Sequence, residues 1–541
     1  MDPARSETRC TYGTFLRKNW ETPRLSSNHG ELGRIGKAGG RTPMMHGRGE
    51  SDRPVVPAKQ PNKATRVAAE AVEERGLVKG NTDQQNASRT QRRIHDASNA
   101  LDRVREAAQR DRKLRFTALF HHLTTERLRS SFHALKRTAA PGVDGVTWHQ
   151  YREDLETHLE DLHGRLHRGA YRAKPTRRVF IPKADGRQRP LGIAALEDKI
   201  VQRATAEVLG ALYEEDFLGF SYGFRPGRGQ HDALDALSVG IFQKKVNWVL
   251  NCDLRGFFDA MSHGWMQRFL EHRIGDRRIL RLIQKWLRAG VLHDGIRTET
   301  HVGSPQGASL SPLLANVYLH YVFDLWASAW RRKHANGDVI IIRYADDIIA
   351  GFQRKSDATR FRRELQQRLQ QVELELHPEK TRLVQFGKLA ADFRKADGKG
   401  RPETFDFLGF THLCGRSRRG KFLLHRRTIK ERMRTTLRAI KSELMRRRHL
   451  PIPEQGRWLA RVVRGYFAYY AVPTNIDGMT SFRSQVIRHW RHALMRRSQR
   501  QRVTWDRMHM LADRWIPKAQ IQHPWPNVRF EAKTRDRSPV R

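Results

Sequence analysis

The chain has 541 residues, with 102 Lys and Arg against 57 Asp and Glu, a formal net charge of +45. A balance this basic points to a polyanionic partner, nucleic acid foremost. Cys10, Cys252 and Cys414 lie far apart, which excludes a disulfide framework or a cysteine-rich zinc module. No run nears the roughly 18 apolar residues of a membrane span, so the expectation is a soluble cytoplasmic protein with no membrane partner.

Residues 1–95 are rich in Gly, Pro, Ser, Asn and charge and are expected to form a basic, largely disordered extension. From Ala100 the apolar residues recur at helical spacing as far as Leu135, and Pro141-Gly142-Val143-Asp144-Gly145 ends the pattern with turn formers. A second amphipathic stretch spans Tyr151 to Leu166. Arg177 to Ile193 predicts a hairpin turning at Asp185-Gly186. Lys183 and Arg189 then stand on opposite strands at near-equal distance from the turn. Two cations so placed suit a triphosphate, or equally a phosphodiester backbone. Lys199 to Leu212 predicts a helix, and Phe220 to Arg228 an irregular basic loop.

Trp248 to Cys252 reads as a buried strand ending in Asp253, with a turn through Phe257-Phe258. Gly303 to Asn316 reads as a flexible loop opening a helix, its glycines allowing close backbone approach. Ile340 to Phe352 places two β-branched runs around Asp346-Asp347, which predicts a tight buried hairpin. An isolated Asp-Asp pair is usually a solvated turn. Paired carboxylates at the tip of buried strands are costly without a cation, and Asp253 at another strand end adds a third. Oxygen ligands with no His and Cys cluster beside them suit Mg²⁺ rather than zinc. Ala358 to Leu376 predicts a long helix, and Phe405 to Phe410 one aromatic strand.

From Gly415 to Arg502 there are 24 Lys and Arg against 4 Asp and Glu, so +20 of the +45 sits in 88 residues. Ile429, Met433, Leu437, Ile440 and Leu444 form one apolar stripe. Arg464, Tyr466, Tyr469, Arg488, Arg491, Arg496 and Arg497 interleave charge with rings. That mixture suits structured RNA, with phosphates on the arginines and splayed bases on the rings.

Five motifs in order resemble the reverse transcriptase and maturase proteins encoded by group II introns, in the form without a C-terminal HNH endonuclease domain. Tyr344-Ala345-Asp346-Asp347 resembles the catalytic signature, and Asp253 to Phe258 the strand carrying the other metal-binding Asp. Pro305-Gln306-Gly307 with Ser311-Pro312-Leu313-Leu314 resembles the template and nucleotide loop. Ile181-Pro182-Lys183 with Arg189-Pro190-Leu191 resembles the fingers hairpin, and Phe407-Leu408-Gly409-Phe410 the primer-grip region. The resemblance implies an α+β right-hand polymerase: fingers and palm over 96–412, an α-helical thumb over 413–450, and a basic α-helical maturase domain over 451–541. It assigns catalysis to Asp253, Asp346 and Asp347 holding two Mg²⁺, with Lys380 as a proton donor. Lys183, Arg189, Phe258 and Gln306 become the nucleotide site, with Phe258 excluding ribonucleotides. The implied partners are intron RNA, an RNA template with a DNA primer, dNTPs and a DNA target, and a homodimer is allowed. Two alternatives stay open: a splicing-only maturase, which three intact aspartates disfavour, and a domesticated reverse transcriptase of defence or CRISPR adaptation.

Overall fold

The structure, a computed structural model, describes residues 100–182, 188–300, 302–304, 307–498 and 502–534. The expected N-terminal extension, 1–95, lies outside them, and the first described helix spans 100–110. Helices α1 (Thr125–His133), which buries Leu128 and Phe132, and α2 (Leu155–His167), which buries Leu159, Leu162 and Leu166, follow. β1 (Thr176–Pro182) and β2 (Gln188–Ile193) pair antiparallel as expected, with Ile181 opposite Arg189. The predicted turn at Asp185-Gly186 is outside the described residues.

α3 (Leu196–Asp216) and α4 (Gln230–Gln243) lead into β3 (Trp248–Cys252). After α5 (His263–Glu271) and α6 (Arg277–Arg288), the short hairpin of β4 (Val291–His293) and β5 (Ile296–Thr298) extends the first sheet, β4 lying parallel to β1. α7 (Ser311–Leu319) and α8 (Leu325–Lys333) are joined through a π-helical segment, His320–Asp324.

β6 (Val339–Tyr344) and β7 (Asp347–Phe352) form the hairpin read from the sequence. With β3 and β8 (Arg382–Gln385) they make an antiparallel sheet in the order β6-β7-β3-β8. Its isoleucines need not alternate with polar residues because both faces are covered. Leu234, Leu237 and Ile241 of α4 pack with Ile340, Ile342 and Ile349. On the other side, Phe361 of α9 (Lys355–Gln370) lies against Trp330 and Phe352.

Two elements differ from expectation. Phe405 to Phe410 is two strands, β9 (Phe405–Phe407) and the start of β10 (Phe410–Arg416), joined at Leu408-Gly409 with φ of +44° and +84°. Two successive left-handed residues suit a two-residue hairpin turn, and an unbroken aromatic run disguised it. The stretch 413–450, expected to be α-helical, becomes helical only at Lys430, because β10 pairs with β11 (Phe422–Thr428) around Gly420 at φ +73°.

Beyond β11, helices α10 (Lys430–Arg446), α11 (Ile452–Tyr470), α12 (Ile476–Met495) and α13 (Trp505–Trp515) share one apolar core. Leu437, Ile440 and Leu444 enter it from one side of residue 450, and Leu459, Phe467 and Trp490 from the other. Trp490 is fully buried, its Nε1 donating to Gln455 Oε1 at 2.9 Å. The final helix, α14 (Pro526–Thr534), returns to α4. Arg529 Nε donates to Asp235 Oδ2 at 2.6 Å, Arg426 Nη1 to Asp235 Oδ1 at 2.9 Å, and Lys533 Nζ to Asp232 at 2.7 Å.

Candidate active site

Strand register gathers the acidic residues. β3 and β7 pair through Cys252 and Ile348, so one further step sets Asp253 beside Asp347 at the same end of the sheet. Asp346 sits in the two-residue turn closed by the Tyr344 and Asp347 pair. Asp253 also receives a cation. The chain after α9 returns alongside it, with Arg255 N–H donating to Glu375 O at 2.9 Å and His377 N–H to Asp253 O at 2.7 Å. The turn from His377 to Thr381 then brings Lys380 Nζ to 2.7 Å from Asp253 Oδ2.

These groups open on a cleft of about 420 Å³ lined by Asp253, Asp347, Lys380, Arg382, Phe407 and Arg432. Arg432 comes from the first turn of α10, so the helical region supplies part of the cleft wall. Asp347 is open to the cleft and crowded by protein on its other sides. Burial and then the charges of Asp346 and Asp253 push its carboxyl up to about 6, against the pull of Arg432 and Lys380. Among the described residues no three Asp, Glu, His or Cys side chains form a ready cage for an ion. The donor set nevertheless fits Mg²⁺, which is commonly held by one or two carboxylates with water and substrate phosphates completing the shell. The repulsion that raises Asp347 is what a divalent cation relieves, and Lys380 shows that Asp253 accepts a cation.

The turn itself is strained and braced. Ala345 has φ +53°, a left-handed backbone costing a non-glycine residue on the order of 1–2 kcal/mol. Against it lies the segment from Phe220, which runs beside β6: Arg343 N–H donates to Phe220 O at 2.9 Å and Tyr222 N–H to Arg343 O at 2.8 Å. Gly223 is required there, since a Cβ on it would stand 2.3 Å from Ala345 N. Beneath the turn, Arg343 is wholly buried. Its Nη1 donates to Ala345 O at 3.1 Å and to Asn316 Oδ1 at 3.0 Å. Its Nε and Nη2 hold Asp324 Oδ1 and Oδ2 at 2.7 and 2.6 Å, and Nη2 also reaches Ser221 Oγ at 2.7 Å. The sequence reading passed over Arg343, Arg432 and Gly223. The available signal was an arginine inside an isoleucine strand, which demands a buried partner.

Phe258 is half-buried on a short helix, Phe257–Ala260, that starts after Gly256 at φ +55°. Its carbonyl accepts Ser304 N–H at 2.8 Å, tying it to the start of the 303–311 loop. Lys183 and Gln306, and the side chain of Arg189, lie outside the described residues.

The residues selected for RNA binding divide. Arg464, Arg488 and Arg496 are exposed. Tyr466 is buried and stacks on Phe482 at 3.6 Å, and Tyr469 packs on Phe410 while its hydroxyl donates to Leu408 O at 2.7 Å. Tyr466 thus belongs to the core, and Tyr469 is half-buried against the β9–β10 turn. Arg491 caps Val503 O at 2.9 Å and covers the Trp505 ring at 4.5 Å. Arg497 holds the carbonyls of Arg448 and Leu450. These two guanidiniums fasten loops. Arg457, Arg461, Arg464 and Arg514 with Trp515 line a surface groove of about 690 Å³.

Residues 181–412 match the reverse transcriptase (RNA-dependent DNA polymerase) family. The chain carries a reverse transcriptase domain. It is 37% identical over 205 residues to protein YkfC of Escherichia coli strain K12, covering 37% of this chain and 54% of that protein. It is 32% identical over 225 residues to the group II intron-encoded protein LtrA of Lactococcus lactis subsp. cremoris, covering 41% and 37%. A 91 kDa protein in the cob intron of Schizosaccharomyces pombe is 42% identical over 146 residues, covering 27% and 18%. The matches thus span about half, or less, of each relative. Two of these relatives are named for introns, and the reverse transcriptase domain implies the right-hand polymerase fold. No helix among the described residues is long and apolar enough to cross a membrane.

Proposed function

We propose that this chain is the RNA-directed DNA polymerase of a mobile group II intron, and that it also grips the intron RNA as a maturase and copies it into DNA at a new site. The observation that carries the proposal is the convergence of Asp253 and Asp347 on neighbouring strands, with Lys380 on Asp253. Asp253, Asp346 and Asp347 would hold Mg²⁺, expected as two ions, in the cleft. Bound there, the metal supplies Lewis acidity toward the primer hydroxyl and the triphosphate. Lys380 Nζ stands at the carboxylates and is half-exposed to the cleft, where it can give a proton to departing pyrophosphate. Phe258, fixed through Ser304, guards the sugar's 2′ position, while Lys183, Arg189 and Gln306 receive the triphosphate. The exposed arginines of α11 and α12, with the groove beside Trp515, hold RNA.

The test is extension of a DNA primer on an RNA template by the full-length protein with Mg²⁺. Asp346→Ala should lower the rate by on the order of 10³-fold with unfolding little changed. Wild-type protein that binds template and primer yet adds no nucleotide would remove the polymerase assignment, and full activity in Asp346→Ala would remove that of the residue.

A further inference from the structure

Arg343 is the residue whose chemistry the polymerase reading leaves unexplained. A guanidinium with no exposed surface is expensive to bury, and its partners Asp324, Asn316 and Ser221 are buried with it. They come from three separate places in the chain: the π-helical segment between α7 and α8, α7 itself, and the loop before α4. Their one common target is the turn that carries the aspartates. Arg343 donates to the carbonyl of Ala345, the residue held left-handed, and Asn316 is itself fixed, its Nδ2 donating to Gly223 O at 2.7 Å. Gly223 is the residue pressed against Ala345 N. The turn is thus flanked on both sides of one residue: Gly223 lies so close to its amide that no Cβ fits between them, and its carbonyl accepts from Arg343.

We infer that the buried Arg343–Asp324 pair, with Asn316 and Ser221, is a positioning device that fixes the Ala345 backbone and so aims Asp346 and Asp347 into the cleft. This rests on the reading of that turn as the polymerase site. A buried ion pair replaced as a unit by apolar residues of similar volume is often neutral for stability. Its removal therefore separates holding the fold together from holding the turn in place. Lysine at 343 could reach Asp324 but lacks the planar fork needed to bond Ala345 O, Asn316 and Asp324 together.

The experiment compares full-length wild type with Arg343→Lys and with the double variant Arg343→Met/Asp324→Leu, in three measurements. Thermal unfolding should place the double variant near wild type. Primer extension should show kcat reduced by on the order of 10²-fold in both variants, with the nucleotide KM within about threefold. Hydrogen exchange of peptides covering 343–348 should be about tenfold faster or more in the double variant, while β3 stays protected. Recovery of near wild-type kcat in the double variant would make the pair a matter of stability alone and overturn the inference, as would unchanged exchange at 343–348. If wild-type protein does not extend primers, the polymerase reading fails, and the exchange measurement alone decides whether Arg343 holds the turn.

Discussion

In the β6–β7 hairpin, Arg343 is withdrawn from solvent and its donors are divided among Ala345 O, Asn316, Asp324 and Ser221, whereas in the helical region Arg464, Arg488 and Arg496 stand in water and Tyr466 has gone inside. The same two residue types are used in inverse ways. Where a small number of carboxylates must be aimed, charge is buried, paired and rigid. In the helical region charge is spread over the surface, and Tyr466 and Trp490 help build the core beneath it. Composition announces the second use and is silent about the first.

The largest expected effect tests whether the tyrosines belong to the core. Tyr466→Ala removes a ring stacked on Phe482 and should destabilise the protein by about 3 kcal/mol, with RNA affinity of the folded protein unchanged in filter binding. A loss of affinity at constant stability would return Tyr466 to the RNA surface. Next, Gly223→Ala forces a Cβ into Ala345 N and should slow primer extension by on the order of 10²-fold while leaving template binding intact. Wild-type rates would show that the turn tolerates displacement.

A third measurement contrasts buried with exposed charge through pH. Asp198 on α3 is buried, accepts from the Tyr171 hydroxyl and from Lys174 N–H at 3.1 Å, and burial pushes its carboxyl up to about 6. Its folded-state value lies above the ordinary range, so its contribution to stability is complete below about pH 4 and is lost as pH rises through 6. Wild type should lose up to about 1.4 kcal/mol per pH unit in that window relative to Asp198→Asn, read from urea midpoints. Parallel pH profiles for the two proteins would refute the shift. The smallest effect is expected at the surface. Arg464→Ala/Arg488→Ala/Arg496→Ala should change stability by less than about 0.5 kcal/mol and reduce the salt slope of RNA binding by about one for each phosphate no longer neutralised.

Legibility in the sequence followed the range of the interactions. The β6–β7 hairpin and the strand ending at Asp253 were readable because β-branched apolar runs and strand-end carboxylates are local signals. Lys380 came only with the family resemblance, since nothing local says that it returns to Asp253 from 127 positions away. Arg343 was hidden for the same reason, its partners lying 19, 27 and 122 positions distant. Tyr466 and Tyr469 were ambiguous because a ring in a basic helix fits a core stripe and a nucleic-acid face equally well, and their packing on Phe482 and Phe410 is made by long-range contacts. The Leu408-Gly409 turn escaped because leucine rarely adopts a left-handed backbone.

Helix α14 makes completion of the layer over the β6-β7-β3-β8 sheet wait for a late stretch of translation. Asp235, deep in α4 against that sheet, is held by Arg426 and, 294 residues later, by Arg529. A chain released before residue 526 would keep Asp235 paired with Arg426 alone and would lose the second guanidinium and the Lys533 contact to Asp232. The last stretch to be synthesised thus acts as a clasp, fastening α4 from the far end of the chain.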